Sequence, residues 1–205
     1  MKRPLLITDC DEVLVHMVSP LAQWLDEAHG IDFPLKGEDF AYRFTRRSDG
    51  ATLEAEHVWP LMANFFTAEM HRQTLAPHAD VALAKIAEVA DVVVLTNLVD
   101  TYHANRVAQL DAFGIRHRVI CNQGGKGGPV AKLIAEYDPS VAVFVDDTEA
   151  HHQSVSEEAP DVWRLHMIVE PLIAHRRPPA PHAHARIDDW QDALPWIMER
   201  FATAA

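Results

Sequence analysis

Short apolar runs that stop abruptly at polar residues punctuate this chain. Residues 4–8 (PLLIT) run into Asp9, residues 92–95 (VVVL) into Thr96 and Asn97, and residues 141–145 (VAVFV) into Asp146 and Asp147. Residues 119–120 lead to Cys121 and Asn122, and a weaker run over 162–168 is interrupted by Arg164 and His166. Continuous apolar runs of this length predict strands buried on both faces, as in parallel sheets. Between them the spacing turns helical. Residues 79–90 carry Val81, Leu83, Ile86 and Val89 on a helical period. Residues 101–113 place Val107, Leu110 and Phe113 on another, and Gly114 is a stop signal. Residues 130–137 follow Pro129, which suits a first helical turn, and 189–201 reads as a closing amphipathic helix interrupted by Pro195. Strands alternating with helices predict an α/β fold, a Rossmann-like parallel sheet with helices on both faces.

The alternation fails between Asp11 and residue 79. Residues 14–30 predict a helix containing Leu21, Trp24 and Leu25. Residues 51–73 predict another, with Leu53, Leu61, Phe65 and Met70 among its apolar positions, and 31–50 is turn-rich and charged. Residues 14–76 are therefore expected to form a small helical cap inserted after the first strand, with 1–13 and 77–205 as the core domain. Its aromatics, Phe40, Tyr42, Phe44, Trp59, Phe65 and Phe66, are expected to pack inside the insertion rather than to stack on a ligand. Arg43, Arg46 and Arg47 cluster in it; a solvated face is the plain reading, and a funnel for a phosphorylated substrate the sharper one. The Pro- and His-rich stretch 175–186 predicts a surface loop.

Composition narrows the function. A chain of 205 residues suits one domain with an insertion. Lys+Arg total 18 against 30 Asp+Glu, a net charge of −12, which argues against a nucleic-acid polymer or an anionic membrane as main partner. A small phosphorylated substrate remains compatible, because a local cation reverses the field inside one pocket. Two cysteines, Cys10 and Cys121, supply neither a disulfide framework nor a Cys-rich zinc site. No apolar run is long enough to span a membrane, and the N-terminus lacks the apolar stretch of an export signal. A cytoplasmic setting is the expectation.

In doubly wound sheets the ligand sits beyond the carboxyl ends of the strands. Here those ends carry reactive groups. Asp9 and Asp11, two residues apart, can face one pocket, one as nucleophile and one as proton donor. Thr96 and Asn97 offer a hydroxyl, an amide and backbone N–H groups to an anion. If Asp9, Asp11, Asp146 and Asp147 share one cleft, neighbouring charges repel by about 4 kcal/mol per close pair at a protein-like dielectric. A hard divalent cation with oxygen ligands, Mg²⁺, is the expected remedy. Lys126, in the Gly-rich NQGGKGGPV before a helix, is the candidate phosphate lysine, and Lys132 is the fallback. Asp147 reads either as a metal ligand or as a hydrogen-bond acceptor behind the ligands. Cys10 reads as a buried filler, and His151, His152, His182 and His184 as exposed imidazoles.

The ordered set DCDEV from Asp9, VVVLTN, Lys126 and VFVDD resembles the haloacid-dehalogenase-like (HAD) phosphohydrolase superfamily, over nearly the whole chain. The resemblance implies a Mg²⁺-dependent phosphatase working through an aspartyl-phosphate. In that reading Asp9 is the nucleophile and Asp11 the general acid and later base. Thr96, with Asn97 beside it, holds the phosphoryl oxygens, and Lys126 neutralises nucleophile and phosphate. Asp9, the backbone carbonyl of Asp11, and Asp146 ligate the metal, with Asp147 in support. The insertion stands where the family places a helical cap. Many members have Gly after the second Asp, where this chain has Glu12; the run DCDEVL is similar to one in bacterial members of the deoxyribonucleotidase branch. The resemblance thus points to a nucleoside monophosphate as substrate, with a sugar or other small-metabolite phosphate as runner-up. Three alternatives stand beside it. A 2-haloacid dehalogenase would need neither Mg²⁺ nor Asp11. A phosphotransfer receiver has the wrong chain order, since Lys126 precedes Asp146. A non-catalytic binding protein of the same fold finds its best support in Glu12.

Overall fold

The computed structural model describes residues 2–35 and 44–203. Phe40, Tyr42 and Arg43 lie outside them. The main sheet has six parallel strands: β1 (Leu5–Thr8), β6 (Asp91–Thr96), β7 (Arg118–Cys121), β8 (Ala142–Asp146), β9 (Trp163–His166) and β10 (Ala185–Arg186). Their spatial order is β10-β9-β8-β1-β6-β7, so β1 lies between β6 and β8. Leu5 to Thr8 pair residue by residue with Asp91 to Val94 on one side and Ala142 to Val145 on the other.

Burial on both faces explains the unbroken apolar runs. Leu6, Val94 and Val143 point into one cluster with α3 (Ala79–Val89) and α8 (Trp190–Ala202), which also takes in Leu110 of α4 (His103–Ala112). Leu5, Ile7, Val93 and Phe144 point the other way, onto α5 (Gly127–Tyr137) and α6 (Glu149–Glu158). The layered α/β architecture read from the sequence is the one observed.

Two differences from the sequence reading have local causes. The stretch 175–186 contributes β10, parallel to β9. His166 anchors it, accepting at Nδ1 from the Ala180 N–H at 2.8 Å, while Arg186 reaches the same nitrogen at 3.0 Å. Helix α6 carries few apolar residues and buries only His152 and Val155, so periodicity gives it no signal.

The excursion between β1 and α3 holds two-residue strands β2 (Val15–His16), β3 (Ile31–Asp32), β4 (Thr45–Arg46) and β5 (Thr74–Leu75), and helices α1 (Val18–His29) and α2 (Ala55–Asn64). A π-helical turn (Phe65–Glu69) and a 3-10 turn (Met70–Arg72) continue α2. β2 and β5 pair antiparallel, Val15 with Leu75 and His16 with Thr74, so the chain leaves and re-enters through one narrow stem. Val18, Leu21, Trp24, Leu25 and Phe65 form its own cluster, closed from the core side by Ile168 and by Ile173 of α7 (Pro171–Ala174). Arg46 pairs with Asp49, and Arg47 with Asp26 and Asp32, on the surface. No helix among the described residues is long and apolar enough to cross a membrane.

Candidate active site

Parallel pairing brings the ends of β1 and β8 to the same rim, and the sequence puts carboxylates there. Asp9 follows β1, its N–H donating to the Val145 carbonyl at 2.8 Å. Asp146 closes β8, and Asp147 follows it. Carboxylate oxygens of Asp9, Asp146 and Asp147 lie within 4.8 Å of one another.

A single buried cation sits among them. Lys126, the N-cap residue of α5, places Nζ 2.8 Å from Asp9 Oδ1 and 2.7 Å from Asp146 Oδ2, with no solvent exposure. The glycines around it permit a close helix–helix approach: a Cβ on Gly127 would stand 2.3 Å from the Ser154 carbonyl oxygen of α6. Lys132, the fallback, is exposed on α5 and contacts none of these acids.

Burial pushes the Asp9 carboxyl up to about 6, against the pull of Lys126. Burial also opposes the charge on Asp146, but Lys126 and His151 overcome it and hold this carboxyl below the usual range. Asp147 stands well above that range, through burial and then the neighbouring Asp146 and Asp9. Lys126 stays protonated because Asp146 and Asp9 outweigh its own burial. One lysine among three carboxyls leaves excess negative charge, and the donors are all hard oxygens. This set fits Mg²⁺, which would invert the protonation pattern of Asp9 and Asp147 when bound.

Asp9 is divided between two tasks. Oδ1 accepts from Lys126 and from the Cys10 N–H at 2.7 Å. Oδ2 takes no hydrogen bond among the described residues, and Asp9 lines a cavity of about 560 Å³. Thr96, at the end of β6, is fully buried, and its Oγ1 lacks a partner among the described residues. Asn97 is more committed than the sequence suggests. Its Nδ2 donates to the Gly124 carbonyl at 2.9 Å, and its Oδ1 accepts from Asn122 at 2.9 Å. The side chain therefore braces the loop that carries Lys126.

Asp11 does not join the acid group through its carboxylate. Arg106 of α4 donates Nη2 to both Asp11 oxygens at 2.8 Å, and Gln73 donates to Oδ1 at 2.6 Å. The guanidinium is fully buried and also reaches Cys10 Sγ at 3.1 Å. Burial, more than the flanking acids, pushes the Cys10 thiol up. Glu12 occupies left-handed backbone, φ 59°, a conformation that glycine adopts without strain. Its Oε1 accepts from the Met17 and Val18 N–H groups at 2.8 and 2.6 Å, tying the loop to the first turn of α1. Burial, partly offset by these two bonds, raises it to about 7.

Sequence reasoning missed Arg106, Gln73 and the histidines. The sign available for Arg106 was its place one turn before the core residue Leu110 on the same helix. His152 is buried against Phe144, with Nε2 3.0 Å from the Asp146 carbonyl, and His151 Nδ1 lies 3.0 Å from Asp146 Oδ1. Neither is the exposed imidazole expected, because α6 packs its first turn directly behind the acid rim. The expectation of packed aromatics holds for Phe65, which is buried, and for Phe44, stacked on Phe33 at 4.5 Å. It fails for Trp59, which is 70% exposed and lines the cavity.

No protein-family model and no curated protein matches this sequence. Solved structures do. A haloacid dehalogenase-like family hydrolase from Streptococcus pneumoniae aligns with TM-score 0.64 and 10% identity over 96% of this chain and 98% of its own. A HAD-superfamily hydrolase of subfamily IA from Geobacter sulfurreducens gives 0.61 and 17% over 95% and 99%. A Bacillus subtilis protein described as a putative HAD-hydrolase bound to magnesium gives 0.63 and 12% over 96% and 99%. At these identities the likeness is one of fold: the chain has the HAD-like α/β fold.

Proposed function

We propose that the protein is a phosphomonoester hydrolase acting through a phosphorylated Asp9. The observation that carries this reading is the Asp9–Asp146–Asp147 group around buried Lys126, beside a cavity that Asp9 lines. Asp9 Oδ2 attacks phosphorus, the bond from phosphorus to the leaving oxygen breaks, and Asp11 supplies that oxygen with a proton. Water then attacks the acyl phosphate, Asp11 takes the water proton, and inorganic phosphate leaves. Asp11 also lines the cavity, so its part requires a side-chain turn away from Arg106 and Gln73. Thr96 Oγ1, buried and without a hydrogen-bond partner among the described residues, is the hydroxyl this reading assigns to a phosphoryl oxygen, and reaching it requires the adjoining loop to shift. Lys126 holds Asp9 in place and offsets the charge of the incoming phosphate.

Mg²⁺ would be held by Asp9, Asp146, Asp147 and the Asp11 backbone carbonyl, and when bound it neutralises phosphoryl charge. The excursion acts as a cap that excludes water during transfer, with residues 14–76 moving over a core of 1–13 and 77–205. A nucleoside monophosphate is the preferred substrate, and a cytoplasmic setting belongs to the same reading, on the two free cysteines. The deciding experiment is phosphate release from nucleotides, sugar phosphates and small phospho-acids, with and without Mg²⁺, for the native chain and Asp9→Asn. Turnover that needs Mg²⁺ and vanishes in the variant is expected. Full activity in Asp9→Asn refutes the mechanism, activity that survives chelation revives the dehalogenase reading, and silence throughout favours the non-catalytic one.

A further inference from the structure

We infer that the cavity selects phosphomonoesters whose leaving group is uncharged and ring-bearing, and rejects those carrying a second anionic group. The inference rests on the phosphatase reading and adds a rule for the half of the substrate that the acid rim does not touch. The cavity of about 560 Å³ is walled by Trp59, Met62 and Phe66 from the excursion and by Val99, Tyr102 and Ile173 from the core. Phe66 and Tyr102 lie 6.1 Å apart between ring centroids, and Trp59 is the exposed indole at the mouth. Apolar walls of this kind, with few polar groups, hold apolar ligands.

The charged part of the lining is acidic, beside the neutral Asn97 and Thr148 and the imidazole of His151. Asp9, Asp11, Glu12 and Asp147 all border the cavity, and no lysine or arginine does among the described residues. The two cations behind the rim are spent: Lys126 lies between Asp9 and Asp146, and Arg106 lies on Asp11, both without solvent exposure. Both ring nitrogens of His151 are engaged, Nδ1 with Asp146 and Nε2 with Asn97, each at 3.0 Å. Arg177 lines not this cavity but an adjoining one of about 330 Å³, which shares Asp147, Thr148 and Ile173 with it. A phosphoryl group finds its compensation at the rim, whereas a distant carboxylate or second phosphate meets carboxyls, hydrocarbon and the side chains of Asn97, Thr148 and His151, which are already hydrogen-bonded to protein groups.

Matched esters test the rule with the Mg²⁺-loaded protein: benzyl phosphate against 4-carboxybenzyl phosphate, and ethyl phosphate against phosphoglycolate. The carboxylated member of each pair should show a kcat/KM lower by about 30-fold, the effect of one like-charge repulsion across about 8 Å at a protein-like dielectric. Trp59→Ala, checked for native melting, should narrow the benzyl-over-ethyl ratio by about 10-fold, the scale of one aromatic contact. Equal or better turnover of the carboxylated esters overturns the rule alone, as does a ratio that Trp59→Ala leaves unmoved. Absence of turnover on all four esters overturns the phosphatase reading and the rule with it.

Discussion

Replacing Lys126 by Met removes the one cation shared by Asp9 and Asp146, at 2.8 and 2.7 Å, inside a fully buried setting. Methionine fills much of the space, so the change is mainly electrostatic. Breaking a buried ion pair by deleting one partner costs about 3–5 kcal/mol, because the remaining charge stays desolvated. The loss should depend on pH. In the native chain Lys126 is the largest influence holding Asp146 below the usual carboxylate range. Without it, burial dominates both acids and raises each above its unfolded value. Stability then survives where both are protonated and falls as pH rises through the raised values. Urea melts of metal-free protein at pH 5 and pH 8 should therefore show the full deficit of about 3–5 kcal/mol only at pH 8. Lys132→Met, on the exposed face of α5, should stay within about 0.5 kcal/mol of native at both. A Lys126 variant equally stable at pH 5 and 8, or a Lys132 variant that matches its loss, refutes the electrostatic account.

Three further outcomes follow from the same geometry. Asp9 rises from 3.8 to about 6 and Glu12 from 4.5 to about 7, so the metal-free fold holds both protons more tightly than the unfolded chain. It should lose about 3 kcal/mol for each between about pH 4 and 7, and Mg²⁺ should raise the melting temperature far more at pH 7.5 than at pH 5; a metal effect independent of pH contradicts this. Asp11→Ala should cost more than Arg106→Met in urea melts, about 3–5 against about 1–3 kcal/mol, because the fully buried guanidinium cannot shed its charge whereas the partly exposed carboxylate can be hydrated; the reverse order is the refuting result. Glu12→Gly relieves left-handed backbone worth about 1 kcal/mol but strands two N–H groups at the start of α1, each costing about 1–3 kcal/mol, so net destabilisation is expected; a more stable variant would show that strain outweighs the cap.

The sheet and its acid rim were legible because both depend on short-range pattern. Strands buried on two faces read as apolar runs, and the residue that ends each run sits at the ligand edge whatever the helices do. Asp9, Thr96, Asp146 and Asp147 follow from that rule, and Lys126 from its place at the start of a helix. Arg106 was illegible because an arginine on an amphipathic helix ordinarily faces water; only the fold brings Asp11 and Gln73 to it. Asn97 looked like a free phosphate ligand because nothing in sequence shows that Gly124 and Asn122 fold back onto it. β10 depends on His166, which precedes the strand and binds Ala180 on the chain that leads to it and Arg186 within it. Trp59 read as core because aromatics usually are, and its exposure follows from the way α2 faces the cavity.

The stem formed by Val15–His16 and Thr74–Leu75 bears on engineering. Because departure and return are bonded side by side, everything distal to them is a plug-in module: a shorter, longer or wholly foreign unit can be spliced at these positions without altering the spacing of the sheet beneath. The transplant requirements are an apolar underside for Ile168 and Ile173, N–H donors for Glu12 in place of Met17 and Val18, and a donor to Asp11 in place of Gln73. On the proposed reading, a graft that meets these conditions should change which leaving group is accepted and leave the group of Asp9, Lys126, Asp146 and Asp147 in place.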